Sequence, residues 1–147
     1  MNTAHEDFYR NLRKKVKRWA RTDKAKRSRW IEYVLAAPDL FYLLCRLAID
    51  KDVPLQHKAK LAIGIAYFVS PIDLIPDPIP LIGLLDDIAV AAYVLNGMFS
   101  ALDPEIIRRH WAGEGDVLAL IQKIVKTADD MIGKGLWRKI KRFVNKK

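Results

Sequence analysis

Between Leu61 and Ile107 the chain carries no lysine or arginine, while six acids (Asp73, Asp77, Asp86, Asp87, Asp103 and Glu105) are spread through the same stretch. The flanks are the reverse. Residues 1–60 hold 15 basic and 7 acidic side chains, and residues 108–147 hold 11 and 4, so a net +8 and a net +7 enclose a net −6. The surface of a soluble helical protein usually intersperses both signs. The segregation therefore predicts a middle that avoids water and two arms that face water or an anionic partner.

The first arm concentrates the effect, with eleven basic residues and one acid, Asp23, between Arg10 and Arg29. At about 100° per residue, Phe8, Tyr9, Leu12, Val16, Trp19 and Ala20 gather on one side of a helix. Arg10, Arg13, Lys14, Lys17, Arg18 and Arg21 fall opposite. The last arm repeats the design: Leu136, Trp137, Ile140, Phe143 and Val144 form a stripe, and Arg138, Lys139, Lys141, Arg142 and Lys146 face away. A basic amphipathic helix with Trp on its apolar side suits an anionic membrane interface. The same stripe equally suits packing on the protein's own core, and the two uses are compatible.

Between the arms, Pro38-Asp39 is expected to open one helix, running through the apolar segment Leu40 to Ile49. A second follows Val53-Pro54, runs through Lys60 to about Val69, and is stopped by Ser70-Pro71. Four prolines in the ten residues 71–80 remove backbone donors and restrain their predecessors, which predicts a rigid irregular connector. A third helix is expected from Leu84–Asp86 to about Leu102, with acids in its first turn. Asp103-Pro104-Glu105 reads as the cap of a short helix ending near Gly113, and apolar periodicity predicts another over 117–132. No strand or hairpin pattern is present. The fold class is all-α: a small helical bundle with a proline-rich connector between two short, very apolar helices. The chain divides into a basic arm (1–37), a core (38–102) and C-terminal helices ending in a basic amphipathic helix (103–147).

The run from Ala66 through Tyr67-Phe68-Val69-Ser70-Pro71-Ile72-Asp73-Leu74-Ile75-Pro76-Asp77, followed by Gly83 and the paired Asp86-Asp87, resembles the hallmark of the YkvA-like family. The resemblance covers about residues 38–97 and leaves both arms outside it. It implies a small bacterial or archaeal helical protein, of a kind often predicted to be membrane-associated, and brings no reaction with it. Pro78 departs from the pattern, standing where members carry a large apolar residue.

A membrane-inserted hairpin is one reading of the middle. Leu61 to Ile72 and Ile88 to Leu102 give twelve and fifteen uncharged residues, each short of the roughly 20 that a full span needs. Basic flanks held on the cytoplasmic side would require an even number of crossings or none. Ionised Asp73 and Asp77 at bilayer depth argue for a bundle outside the bilayer instead. The acids Asp73, Asp77, Asp86 and Asp87 could cap helices or hold a hard cation such as Mg²⁺; capping is the leading reading, with no cofactor. His5, His57 and His110 are scattered without ligand spacing. Tyr67 reads as a core tyrosine, and Arg108 to Trp111 as a solvated helix face. The single cysteine, Cys45, excludes an intramolecular disulfide, and no signal peptide is visible, which suggests the cytoplasm.

These features point to a non-enzymatic protein on the cytoplasmic side of a membrane, its arms on anionic lipids. The alternatives are a soluble module binding nucleic acid or an acidic partner, and a Mg²⁺-dependent activity on a phosphorylated lipid at the aspartates.

Overall fold

The computed structural model of the protein describes residues 3–27, 31–74 and 81–131. Among them are seven helices and no strand: α1 (Thr3–Ala20), α2 (Asp23–Lys26), α3 (Ile31–Ala48), α4 (Leu55–Leu74), α5 (Leu81–Phe99), α6 (Pro104–Arg108) and α7 (Val117–Met131). The all-α bundle expected from periodicity is what forms.

Helix α3 is the axis of the bundle, packing against α1, α4 and α5, while α5 also packs on α4 and α7. It can do so because apolar residues surround it: Val34, Ala37, Leu40, Phe41, Leu43, Leu44, Cys45 and Leu47 are all buried. An aromatic chain ties three helices together, with Phe8 of α1 at 4.7 Å from Phe41 of α3, and Phe41 at 5.6 Å from Phe68 of α4. Such pairs add about 0.5–1.5 kcal/mol each beyond area burial. Cys45 sits in this core, and burial pushes its thiol up to about 12, so it stays protonated and inert.

Helix α5 starts at Leu81, ahead of the expected Leu84–Asp86, and α6 ends at Arg108, short of Gly113; two further boundaries differ from expectation at prolines. Helix α3 begins at Ile31, with Pro38 buried in its interior, and α4 continues through Ser70-Pro71 to Leu74. A proline inside a helix costs about 3 kcal/mol through a lost hydrogen bond and a ring clash. In α3 the burial of nine side chains along one helix outweighs that. The expected connector shrinks accordingly, and residues 75–80 lie outside the described residues.

The described residues in the middle of the chain supply much of the core of the bundle. Ile88, Ala89, Val90, Ala91, Ala92, Val94, Leu95 and Met98 of α5 are buried in one cluster with residues of α1, α3, α4, α6 and α7. Helix α4 is sided: Leu61, Gly64 and Phe68 are buried, whereas Ala62 and Ala66 are exposed. Among the described residues, no helix is long and apolar enough to cross a membrane.

Candidate functional site

Helix α1 shows the amphipathic split. Leu12 and Val16 are buried at 3% and 1% exposure. Phe8, Tyr9 and Trp19 lie half-buried against the core, and Arg10, Arg13, Lys14, Lys15, Lys17, Arg18 and Arg21 are all exposed. The docking is specific: the Tyr9 hydroxyl donates to Asp39 Oδ1 of α3 at 3.1 Å, and the Tyr9 ring stacks 5.1 Å from Tyr42. Burial raises the Tyr9 pKa above its ordinary value, and the Asp39 carboxylate adds to the shift. Thr22, whose Oγ1 accepts the Ala25 N–H at 3.1 Å, caps α2 and so breaks the helix after Ala20. Trp19 therefore faces the bundle. The second arm, with Trp137, Arg138, Lys139, Lys141 and Arg142, lies outside the described residues.

A cleft of about 750 Å³ opens beside this basic face, between α1, α3, the loop 111–116 and the start of α7. Arg13 and Lys17 enter it from α1, Lys123 from α7, and Leu35 from α3. The loop is shaped by its glycines. Gly115 adopts φ +76°, which glycine tolerates without strain. At Gly113 a Cβ would lie 2.4 Å from Trp111 Cζ2, so only glycine lets the chain pass beneath the indole. Asp116 then starts α7, its Oδ1 accepting the Leu118 N–H at 3.0 Å. The indole N–H of Trp111 is enclosed without an acceptor among the described residues.

A second cluster joins the α3–α4 turn to the end of α6. Arg109 Nη2 donates to Asp50 Oδ2 at 2.6 Å and to Asp52 Oδ2 at 2.8 Å, and His110 Nε2 lies 2.6 Å from the same Asp50 oxygen. The Asp52 N–H donates to Asp50 Oδ1 at 2.8 Å. Burial pushes the Asp50 carboxyl up, but the hydrogen bonds from Arg109, His110 and the Asp52 backbone outweigh it and hold the group well below the usual carboxylate range. With both oxygens already accepting, Asp50 is a structural anchor rather than a base open to a substrate. The solvated face read over Arg108–Trp111 is seen in its two arginines, both exposed, Arg108 pairing with Glu105 and Arg109 with Asp50 and Asp52. His110 and Trp111 are half-buried, the first against Asp50 and the second in the wall of the cleft.

His57, in the first turn of α4, is buried, with Nδ1 unpartnered among the described residues. Desolvation lowers its pKa, and Lys60 adds to the shift, so it is held neutral.

Three of the four motif acids fall within helices. Asp73 falls in the last turn of α4, and Asp86 and Asp87 in the second turn of α5, because that helix begins at Leu81 rather than near Leu84. Asp73 is thus the penultimate residue of α4, and Asp86 and Asp87 lie inside α5. Asp77 lies outside the described residues. Among the described residues there is no group of three or more His, Cys, Asp or Glu disposed to hold a metal.

Residues 57–93 match a protein family described only as a protein of unknown function, DUF1232. The match runs from the buried His57 through the motif into the buried half of α5. An uncharacterised protein, ORF9, of Methanothermobacter thermautotrophicus is 26% identical over 98 residues, which cover 65% of this chain and 66% of that protein. The chain thus spans just under two thirds of that relative's length. No solved structure matches. What the chain resembles is accordingly a family of unknown function, over a segment that in this chain runs from the first turn of α4 into α5.

Proposed function

We propose that the protein is a non-enzymatic helical module that binds anionic membrane surfaces peripherally, on the cytoplasmic face, through the exposed basic side of α1. The observation that carries this reading is the burial of Leu12 and Val16. With its stripe docked on α3, α1 holds its cations outward as a fixed array from Arg10 to Arg18, about 12 Å of helix. A basic residue close to an anionic leaflet is worth about 1 kcal/mol, so Arg10, Lys14, Arg18 and Arg21 together suffice for salt-sensitive attachment. Insertion of α4 and α5 is no part of the proposal, because Leu61 and Phe68 of α4 and Ile88, Leu95 and Met98 of α5 are buried within the bundle. We read the motif from Ala66 to Asp87 as that of a YkvA-like domain, which supplies the scaffold.

Sedimentation with vesicles of mixed phosphatidylglycerol and phosphatidylcholine tests the reading. Binding is expected at low salt, with release as salt rises, none to phosphatidylcholine alone, and loss in the variant Arg10→Glu/Lys14→Glu/Arg18→Glu. Binding to neutral vesicles as tight as to anionic ones would refute it. Nucleic acid is the competing partner for such a face. Because the aromatic residues of α1 are turned inward, any such binding would rest on phosphate contacts alone, and preference for duplex DNA over anionic vesicles at equal salt would move the assignment there.

A further inference from the structure

The turn between α3 and α4 is fixed from beneath and open above. Val53 is buried at 3%, its N–H donates to the Asp50 carbonyl at 3.2 Å, and the Asp50 carboxylate is gripped by Arg109 and His110 from the end of α6. The Pro54 carbonyl accepts the His57 N–H at 3.0 Å as α4 starts. On this support Ile49 is 56% and Leu55 82% exposed, two of the three large apolar side chains so open among the described residues. Exposed apolar residues scattered singly are ordinary. Two on one clamped turn are apolar surface that the fold holds out in water.

Charge around the turn is one-sided. Residues 46–60 hold Arg46, Lys51, Lys58 and Lys60 against two acids, Asp50 and Asp52. Both acids are paired with Arg109, at 2.6 and 2.8 Å, so they offer little repulsion to an anionic neighbour, and Lys51 is exposed between them. Exposed apolar side chains flanked in sequence by lysines suit a bilayer interface, where the ammonium groups stay at headgroup level and the apolar groups go deeper. A protein partner fits less well, because two side chains fall far short of the roughly 800 Å² per partner that a standard interface buries. Helix α1 runs antiparallel to α3, Phe8 lying on Phe41 and Val16 sharing the cleft with Leu35, so the turn sits at the end of the bundle where α1 begins. We propose that the α3–α4 turn dips into an anionic membrane interface, with Leu55 and Ile49 entering among the lipid chains and Lys51 and Lys58 held at the phosphates. The proposal rests on the membrane reading and deepens it. The outer face of α1 draws the protein to the surface, and the turn adds an apolar contact that salt does not screen.

The test places an environment-sensitive fluorophore, NBD, on the full chain at Leu55→Cys; the native cysteine, Cys45, is buried. With vesicles of mixed phosphatidylglycerol and phosphatidylcholine, its emission is expected to rise, shift to the blue and be quenched by spin labels on the acyl chains. The same probe at Glu114→Cys, an exposed position on the loop by the cleft, should stay wet. Leu55→Ser is expected to weaken sedimentation with these vesicles roughly tenfold, and Ile49→Ser to weaken it less. At 82% exposure Leu55 contributes little to the core, and unchanged thermal melting certifies that the variant folds. A probe at position 55 that stays wet while the protein sediments overturns the turn and keeps the α1 reading, as does sedimentation unchanged by Leu55→Ser. A blue-shifted probe in a chain that also carries Arg10→Glu/Lys14→Glu/Arg18→Glu would keep the turn and remove α1 as the site of attachment. Self-association abolished by Leu55→Ser would assign the patch to a second copy of the chain and overturn the lipid proposal, and failure to sediment at low salt would overturn both readings.

Discussion

Helices α1 and α5 are almost equal in length, 18 and 19 residues, yet α1 carries six basic side chains and α5 none. In the fold the first lies on the outside with one side docked, and the second is enclosed by α3, α4 and α7. A long stretch without lysine or arginine suggests a bilayer when considered alone. Beside α3, whose apolar residues line most of its circumference, the same stretch is the material of a bundle core. Charge segregation along a chain thus reports radial position in the fold as readily as depth in a membrane, and the partners an apolar helix finds decide between the two.

The comparison breaks most sharply at Phe41, which touches α1 and α4 at once through Phe8 and Phe68. Phe41→Ala is expected to destabilise by about 3–5 kcal/mol. Val16→Ala, at the α1 side of the core, should cost less, about 2 kcal/mol from lost burial and a smaller cavity. Urea denaturation measures both. An equal loss at the two sites would mean that α1 is as integral to the core as α3, and that its separateness as an arm is only compositional.

The loop at the cleft comes next. Gly113→Ala would set a Cβ against the Trp111 ring at 2.4 Å, and the overpacking should cost about 1–3 kcal/mol. A blue or red shift of tryptophan emission in the folded variant would show the indole moving, whereas unchanged stability would mean that the loop yields.

Much of this architecture is legible in the residues. The stripe of α1, the Asp103-Pro104 start of α6 and the periodic face of α7 are local patterns, and each maps onto a helix, with the expected buried side in α1 and α7. The Asp103 cap is explicit, its Oδ1 accepting the Glu105 N–H at 3.0 Å. What the residues hide is long-range. Asp50 and His110 stand 60 positions apart, and no spacing rule brings them together; the only hint is an acidic turn, Asp50-Lys51-Asp52, facing an unassigned Arg109-His110 pair. Pro38 and Pro71 mislead for the opposite reason. Their local preference is a helix boundary, but α3 runs on through Pro38 where neighbouring residues supply more burial than the proline takes away.

The anchor and the buried histidine make the core's acid sensitivity divisible. His57 has a folded-state pKa below its ordinary value, so the native state takes up its proton later than the unfolded chain. Its contribution to stability is complete above the unfolded value near about 6.5 and is lost as pH falls through that value toward the depressed one. Asp50, also depressed, contributes fully above about pH 4 and loses its contribution below that. Thermal melting across pH should therefore fall in two windows, with His57→Leu flattening the upper one and Asp50→Ala the lower. Flattening of both windows by either substitution would show the two groups to be coupled rather than separate supports of α4.

The smallest effect expected is also the one whose sign bears most directly on function. Along α1, Arg10, Lys14 and Arg18 succeed one another at four-residue spacing, and like charges so placed repel by a few tenths of a kcal/mol per pair. Lys14→Glu converts two repulsive neighbours into two attractive ones, so the protein should gain up to about 1 kcal/mol at low salt, a gain that disappears as salt is added. The same substitution should weaken sedimentation with anionic vesicles. A helix chosen for solubility or core packing alone has no reason to keep a repulsive row that one substitution would relieve. If Lys14→Glu raises stability while lowering affinity, the row is held against its own repulsion by what it binds. If affinity is unchanged, the basic face of α1 is only the solvated back of a core helix.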